Sequence, residues 1–126
     1  MTLLQLFSTK KTGDDAERIA ERFLINHGLK LVARNYRCRH GEIDLIMQDC
    51  ESLVFLEVRL RKPLRGKVDF GGALASITAS KQAKIIATAQ HYLAGMKRLP
   101  PCRFDVVLLN GLNVQDVEWI RAAFDA

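Results

Sequence analysis

The chain has 126 residues, of which 48% are hydrophobic and 26% charged, and its 19 Lys and Arg against 14 Asp and Glu give a net charge of +5. This length suits one domain, and the composition is globular rather than disordered. No apolar run approaches the ~18 residues of a membrane span, and three scattered cysteines exclude a disulfide framework. We therefore expect a cytoplasmic protein with free thiols and no membrane contact; the modest positive charge permits a nucleic-acid partner.

The first third of the chain predicts a helix followed by extended chain. Residues 1–12 show no periodicity and are expected to be a flexible N-terminus. Apolar residues spaced three and four apart predict a helix over about 14–27, and Gly28 is placed to end it. An extended segment over 30–36 and a basic turn over 37–41 follow.

Two apolar strands joined by a short polar turn predict an antiparallel hairpin. Residues 42–48 alternate between two faces, 49–52 form the turn, and 53–60 form the second strand. In an antiparallel hairpin, the numbers of the two residues in every cross-strand pair add up to the same value. This value must be odd if the odd-numbered apolar residues of the first strand are to share a face with the even-numbered ones of the second, and a turn centred on 50–51 makes it 101. The expected core face consists of Ile43, Leu45, Met47, Val54, Leu56 and Val58.

The remaining pattern completes an α/β domain over 13–126. The order α-β-β-β-α-β-β, with a short helical end, predicts a mixed β-sheet flanked by helices. The predicted elements of this part are a loop over 61–72, a helix from about 76–80 to 97, an inner strand over 103–109, an edge strand over 114–120 and a helical turn ending near 124.

Acidic residues face one another across the predicted hairpin. A sum of 101 places Asp44 opposite Glu57 and Glu42 opposite Arg59, with Cβ atoms about 4.5–5.5 Å apart. Opposed carboxylates repel unless a cation lies between them, and Mg²⁺ favours one or two carboxylates together with water and a phosphate oxygen. Glu57 also interrupts an apolar run, as functional residues do. The alternative is a solvent-facing set of charges held by a Glu42–Arg59 pair.

Several different short motifs are distributed over nearly the whole chain from about residue 13. The most informative are GEIDLI at 41–46 and LVFLEVR at 53–59. The other motifs are Gly13, Ala16-Glu17, 34–37, 71–72, 80–82, 103–107 and 119–120. Together they resemble the YraN-like family of uncharacterised bacterial proteins, which is related to Holliday-junction resolvases in the restriction-endonuclease-like superfamily.

This resemblance implies a nuclease core that hydrolyses phosphodiester bonds in DNA, with branched or structured DNA as a candidate substrate. Asp44 and Glu57 would bind Mg²⁺ or Mn²⁺, and Glu17 would be a further ligand from the first helix. The superfamily usually has a water-positioning lysine two residues after the glutamate, where this chain has Arg59. Arginine stays protonated and cannot be a general base, but it can clamp a phosphate. Apart from the resemblance, Glu17 is an ordinary acid in the first turn of a helix.

Basic residues flank the acidic hairpin in the sequence and predict a rim that holds DNA phosphates. Hairpin geometry brings the two flanking groups to one end of the sheet; the alternative is an ordinary solvated loop. Glu42 and Gln82 are expected to support the site. The predicted nucleic-acid contacts are Arg37, Arg39, Arg61, Lys62, Arg65, Lys67 and Lys81.

Three functions remain open at this level. The first is a metal-dependent endonuclease, and the second is a catalytically silent DNA- or protein-binding module with the same fold. The third is an α/β domain whose acidic hairpin is structural and which binds a protein partner. Mg²⁺-dependent cleavage separates the first from the second, and strongly salt-dependent DNA binding separates both from the third. The resemblance also raises a homodimer as the assembly.

Overall fold

The computed structural model describes residues 3–61 and 77–126, with side chains described for 13–61 and 77–126. These residues form two α-helices, five β-strands and one 3₁₀ turn in the order α-β-β-β-α-β-β. The elements are α1 (Leu3–Asn26), β1 (Lys30–Cys38), β2 (Gly41–Asp49), β3 (Ser52–Leu60), α2 (Ala79–Leu93), β4 (Cys102–Leu109), the 3₁₀ turn (Val114–Asp116) and β5 (Val117–Phe124).

The five strands form one mixed sheet in the order β1-β2-β3-β4-β5, with β3 at its centre. Neighbouring strands are antiparallel except β3 and β4, which are parallel and therefore need a crossover connection, to which α2 belongs. The predicted mixed sheet with flanking helices is confirmed. Neither helix of the described part of the chain is long and apolar enough to span a membrane.

Each helix covers one face of the sheet, so the central strands are buried on both sides. On one face α1 presents Ala16, Ala20 and Leu24, spaced four residues apart, to β2, β3 and β4. On the other face α2 presents Ile85 and Ala89. Burial on both faces explains why β3 is an almost continuous apolar run, which Glu57 interrupts.

The first helix begins earlier than its periodicity predicts. Its start is Leu3 rather than a residue near 14, so the predicted start is wrong; flexibility of residues 1–12 stays a prediction. The predicted end is correct within a residue or two, because Gly28 takes a left-handed φ of 95° directly after the helix. The N–H of Leu29 then donates to the carbonyl of Leu24 and starts the return to β1.

The hairpin register agrees with the sequence, but one of its residues faces the other way. The pairs Leu45–Leu56 and Met47–Val54 both sum to 101. Ile43, however, packs on the α2 face while Leu45 packs on the α1 face, so the predicted shared face is wrong at Ile43. The change of face accompanies a left-handed backbone at Asn35 (φ 49°), in the part of β1 that lies beside these residues.

The end of the chain is a strand, and the predicted helical turn there is wrong. β5 pairs antiparallel with β4 as far as Phe124, whose ring stacks on Phe104 at a centroid distance of 5.0 Å. This aromatic contact, and the backbone groups of β4 that would have no partner without β5, favour a strand over a helix at the end of the chain. The second helix also ends at Leu93, before the predicted residue 97.

The β1–β2 turn leaves no room for a side chain at Gly41. This glycine has a φ of 148°, and an added Cβ would lie 3.3 Å from Thr88 Oγ1 and 3.6 Å from Lys84 Cβ. We expect Gly41→Ala to lower the free energy of unfolding by about 1–3 kcal/mol, because it combines backbone strain with overpacking. Urea denaturation measures the change. Gly95→Ala, which meets open space, is the control, and equal losses in both variants would contradict the prediction.

Candidate active site

The site begins where β2 and β3 separate. Their last paired residues are Leu45 and Leu56, although both strands continue beyond this point. In the gap, Asp44 Oδ2 accepts a hydrogen bond of 2.8 Å from the backbone N–H of Val58. The Asp44 carboxylate therefore lies between the strands, where a backbone partner would otherwise be. The predicted Asp44–Glu57 pair lies one step beyond the last observed pair and stays a prediction, although the charge of Glu57 acts on Asp44 and raises its pKa.

Glu57 projects from the centre of the sheet and is buried, with 7% of its side chain exposed. Arg59 Nε and Lys81 Nζ each lie 3.3 Å from its Oε1 atom. Lys81 is in the first turn of α2, where its backbone N–H donates to the capping hydroxyl of Thr78. The Arg59 contact has ion-pair distance but not hydrogen-bond direction, since among the described residues its buried Nε has no hydrogen-bond acceptor.

A second group of acidic residues reaches the gap from the α1 side. Arg34 in β1 binds Glu21 through both carboxylate oxygens and fixes α1 against the sheet. Glu17 lies one helical turn earlier on the same side of α1. In the amide orientation that satisfies both neighbours, the Asn35 nitrogen donates to Glu17 Oε2 (3.0 Å) and to Glu42 Oε1 (3.1 Å). Asn35 therefore links α1 to the β1–β2 ladder.

The pKa of Asp44 is raised to about 8, mainly by burial and next by the negative charge of Glu57. The charges of Glu17 and Glu42 act in the same direction, whereas the hydrogen bond from Val58 lowers this pKa. Without a bound cation, Asp44 is therefore largely protonated at neutral pH. A carboxyl group that ionises only with difficulty beside other acids is a place where a cation would be strongly attracted.

The pKa of Glu17 is also raised above its usual value. Burial is the main cause, followed by the charges of Glu42 and Asp14, while hydrogen bonds with Asp44 and Asn35 lower it. A hydrogen bond between two carboxyl groups requires that they share a proton. Protonation of one of these two carboxyl groups therefore favours ionisation of the other.

The donor set fits a hard divalent cation held by two carboxylates. Within 13–61 and 77–126, no cluster of three or more His, Cys, Asp or Glu side chains is arranged to hold a metal. Mg²⁺, however, usually takes one or two carboxylates and completes its octahedron with water and phosphate oxygens. Asp44 and Glu57 provide two such carboxyl groups, and Glu17 and Glu42 are close enough for their charges to act on Asp44. Ligation by these residues, and by Glu17, stays a prediction.

Comparison with known proteins identifies the family. The model of the uncharacterised protein family UPF0102 matches residues 16–109, a segment that contains every carboxylate of this site. The chain belongs to this family. The predicted YraN-like resemblance is thereby confirmed.

Relatives at more than half identity extend over most of the chain. A UPF0102 protein of Nitrosospira multiformis is 58% identical over 113 residues, covering 90% of this chain and 92% of the relative. A UPF0102 protein of Nitrosomonas europaea is 53% identical over 118 residues, covering 94% and 97%. A third, from Methylobacillus flagellatus, is 51% identical over 117 residues, covering 93% and 99%. UPF0102 proteins thus share the length of this domain.

The basic residues of this UPF0102 member are arranged differently from the predicted rim. Arg37 is exposed and pairs with Glu42 across the β1–β2 ladder (Nε–Oε1 3.3 Å), so the predicted Glu42–Arg59 pair is wrong. The physical reason is that β2 and β3 have already separated at Glu42, whereas β1 still pairs with β2 there. Arg39 is exposed in the β1–β2 turn. Arg61 follows β3, where its backbone N–H donates to Leu109 O.

The other predicted contacts divide into three groups. Lys81 contacts Glu57 and so belongs to the acidic centre rather than to an outer rim. Gln82 donates through Nε2 to the carbonyl of Ile77 (3.1 Å) and stabilises the start of α2. The predicted contacts that lie outside the described residues are Lys62, Arg65 and Lys67.

Sequence reasoning gave no place in the acidic site to three residues that shape it, namely Glu21, Arg34 and Asn35, although 34–37 was among the motifs of the resemblance. One signal was present, because asparagine is disfavoured in strands yet tolerates left-handed backbone, and Asn35 stands in an extended segment. A second signal was the spacing of Glu17 and Glu21, which puts two acids on one side of a helix. Their partners in β1 could be identified only from the packed structure.

Proposed function

We propose that this UPF0102 member binds a divalent cation at Asp44 and Glu57 and hydrolyses phosphodiester bonds in DNA. The observation that carries the proposal is the opening between β2 and β3, where the pKa of the half-buried Asp44 is raised to about 8 and the negative charge of Glu57 contributes to the rise. Natural proteins separate buried acids unless a function requires them together. Lys81 and Arg59 add positive charge beside the same carboxylate, as the binding of a phosphate requires.

The residues of the site have distinct tasks in such a reaction. When bound, Mg²⁺ or Mn²⁺ would polarise the phosphate and promote ionisation of a water molecule. Asp44 and Glu57 would hold this cation, and Asp44 would lose its proton to solvent because the positive charge of the cation favours the ionised carboxylate. The buried Nε–H of Arg59 donates to a non-bridging phosphate oxygen.

Bond making and breaking follow ordinary ester hydrolysis. The water oxygen forms a bond to phosphorus, and the ester bond to the leaving sugar oxygen breaks. The proton of the attacking water passes to solvent, and the leaving oxygen takes up a proton from solvent. Because Arg59 stays protonated, it stabilises negative charge and does not act as a base.

The second candidate is a catalytically silent module that binds DNA or protein with the same fold. The observation that favours it is Arg59, since the related nucleases usually have lysine there. The exposed Arg37 and Arg39, near the end of the sheet where the site opens, would contact phosphates in either case.

The test is cleavage of linear, flapped and four-way-junction DNA with Mg²⁺ or Mn²⁺. We expect the wild type to cleave at least one of these DNAs, and Glu57→Gln to reduce the rate by on the order of 10²–10³. Glu51→Gln, which changes an exposed carboxylate in the turn of the same hairpin, is the matched control and should retain full activity. Circular dichroism checks that Glu57→Gln folds.

Each alternative outcome has a distinct meaning. Cleavage that survives in Glu57→Gln would come from a contaminating nuclease and would contradict the proposal. A wild type that binds DNA with a steep salt dependence but never cleaves it would support the silent module. Absence of both activities would favour an α/β domain with a protein partner.

A further inference from the structure

Two cations of different chemistry converge on one carboxylate oxygen. Arg59 comes from the same strand as Glu57, two residues later, whereas Lys81 reaches Glu57 from α2. Both approach Oε1 at 3.3 Å. One cation is enough to balance one carboxylate, so the second suggests a task beyond neutralising Glu57.

The two side chains differ in how they can move. Arg59 lies along β3, with 33% of its side chain exposed, and its planar guanidinium is suited to a fixed clamp. Lys81 ends in a compact ammonium on a flexible stem, and 41% of its side chain is exposed. Its backbone is fixed, because the Lys81 N–H is bound by Thr78. The ammonium of Lys81 can therefore change partners while α2 stays in place.

We propose that the ammonium group of Lys81 is mobile. It neutralises Glu57 in the cation-free site and moves to the scissile phosphate when a divalent cation binds the Glu57 carboxylate. This proposal rests on the proposed function. Lys81 then brings a compact positive charge to the phosphate from α2, whereas the charge of Arg59 in β3 is spread over a planar guanidinium. As a catalytic residue it contacts a non-bridging phosphate oxygen through its ammonium group.

A lysine that only follows DNA phosphates would behave differently. Such a lysine would be exposed. Its removal would weaken binding to DNA of any sequence and would make the DNA affinity less dependent on salt concentration. Lys84 is an exposed lysine one turn further along α2. It carries the same charge on the same helix, so Lys84→Ala controls for general electrostatic effects on both cations and DNA.

The first experiment measures Mn²⁺ binding to the full chain without DNA, by isothermal titration calorimetry. We expect Lys81→Ala to bind Mn²⁺ about three- to ten-fold more tightly than the wild type, because its ammonium no longer competes for Glu57. Lys84→Ala should change the affinity by less than about two-fold, since its charge is more distant and screened. Equal affinities in wild type and Lys81→Ala would overturn the displacement of Lys81.

The second experiment measures single-turnover cleavage at saturating DNA. Lys81→Ala should cleave on the order of 10² times more slowly although it binds the cation more tightly, and Lys84→Ala should match the wild type. The double variant Lys81→Ala/Arg59→Lys returns an ammonium to the site from β3 and should recover at least about ten-fold of the lost rate. Lowered DNA affinity with an unchanged saturated rate would overturn the catalytic role.

The two arms separate the two proposals. Tighter Mn²⁺ binding in Lys81→Ala, with no cleavage by the wild type, would support the displacement of Lys81 from Glu57 and contradict only the proposed hydrolysis. Cleavage by the wild type at the same saturated rate as Lys81→Ala would support the proposed function and overturn the role of Lys81.

Discussion

Asp44→Asn should make the cation-free protein more stable at alkaline pH while removing its stabilisation by Mg²⁺. The folded state raises the pKa of Asp44 from 3.8 to about 8, so between these values the folded protein binds more protons than the unfolded chain. Stability therefore falls as the pH rises from about 4 to about 8, and it levels off above the folded pKa. Asparagine is uncharged and keeps an oxygen that accepts the Val58 N–H. At pH 8.5 we expect a gain on the order of 2–5 kcal/mol.

Urea denaturation at several pH values, with and without Mg²⁺, measures this effect. The difference between Asp44→Asn and the wild type should shrink as the pH falls and approach zero below about pH 3, where Asp44 is protonated in both states. Mg²⁺ should raise the midpoint of the wild type but not that of Asp44→Asn, because only a cation that binds the folded state stabilises it. Glu51→Gln serves as the control for removing one negative charge. A difference that is independent of pH would contradict the raised pKa.

Asp105→Ala should cause the largest loss of stability of any single substitution proposed for this protein, about 3–5 kcal/mol. The Asp105 side chain is fully buried. It accepts hydrogen bonds from Arg103 Nε (3.1 and 3.2 Å), Trp119 Nε1 (2.9 Å) and the backbone N–H of Ala122 (2.9 Å). Its removal leaves the Arg103 charge without its buried partner and two donors without an acceptor.

The measurement is chemical denaturation, with Asp49→Ala as the matched control. Asp49 is the second partner of Arg103 (Nη2–Oδ2 2.8 Å), but a quarter of its side chain is exposed. Water can replace this partner, so we expect a loss of only about 1 kcal/mol. Similar losses in both variants would mean that burial does not set the strength of this network. Asp105→Ala should also weaken the attachment of β5 to the sheet, because the Asp105 carboxylate accepts the backbone N–H of Ala122, which has a left-handed φ of 49°.

The hairpin shows what local sequence determines. Alternation of apolar residues has a period of two, and the short turn centred on residues 50–51 leaves one register that buries both strands. The residue numbers of the observed pairs therefore sum to 101, and Asp44 and Glu57 lie just beyond the last of these pairs. The order of elements indicated the fold, and the motifs around these two acids indicated the family. Both the order and the motifs can be identified from residues that are close together in the sequence.

Other features depended on packing between distant segments. The sequence predicts an edge strand over 114–120, but it contains no signal that extends this strand to Phe124 in place of a helical turn. That choice depends on pairing with β4 and on the ring of Phe104. The face of Ile43 depends on the backbone beside it in β1, and the partner of Glu42 depends on where β2 and β3 separate.

The convergence of Lys81 and Arg59 on Glu57 is the clearest case. Arg59 is near Glu57 in the sequence, but Lys81 arrives only because the crossover between two parallel strands returns α2 across the sheet. The residue types of the site could thus be predicted from the sequence. Their contacts could not, because a side chain reaches its partner through the position of a whole helix, and that position is set by apolar packing over the entire sheet.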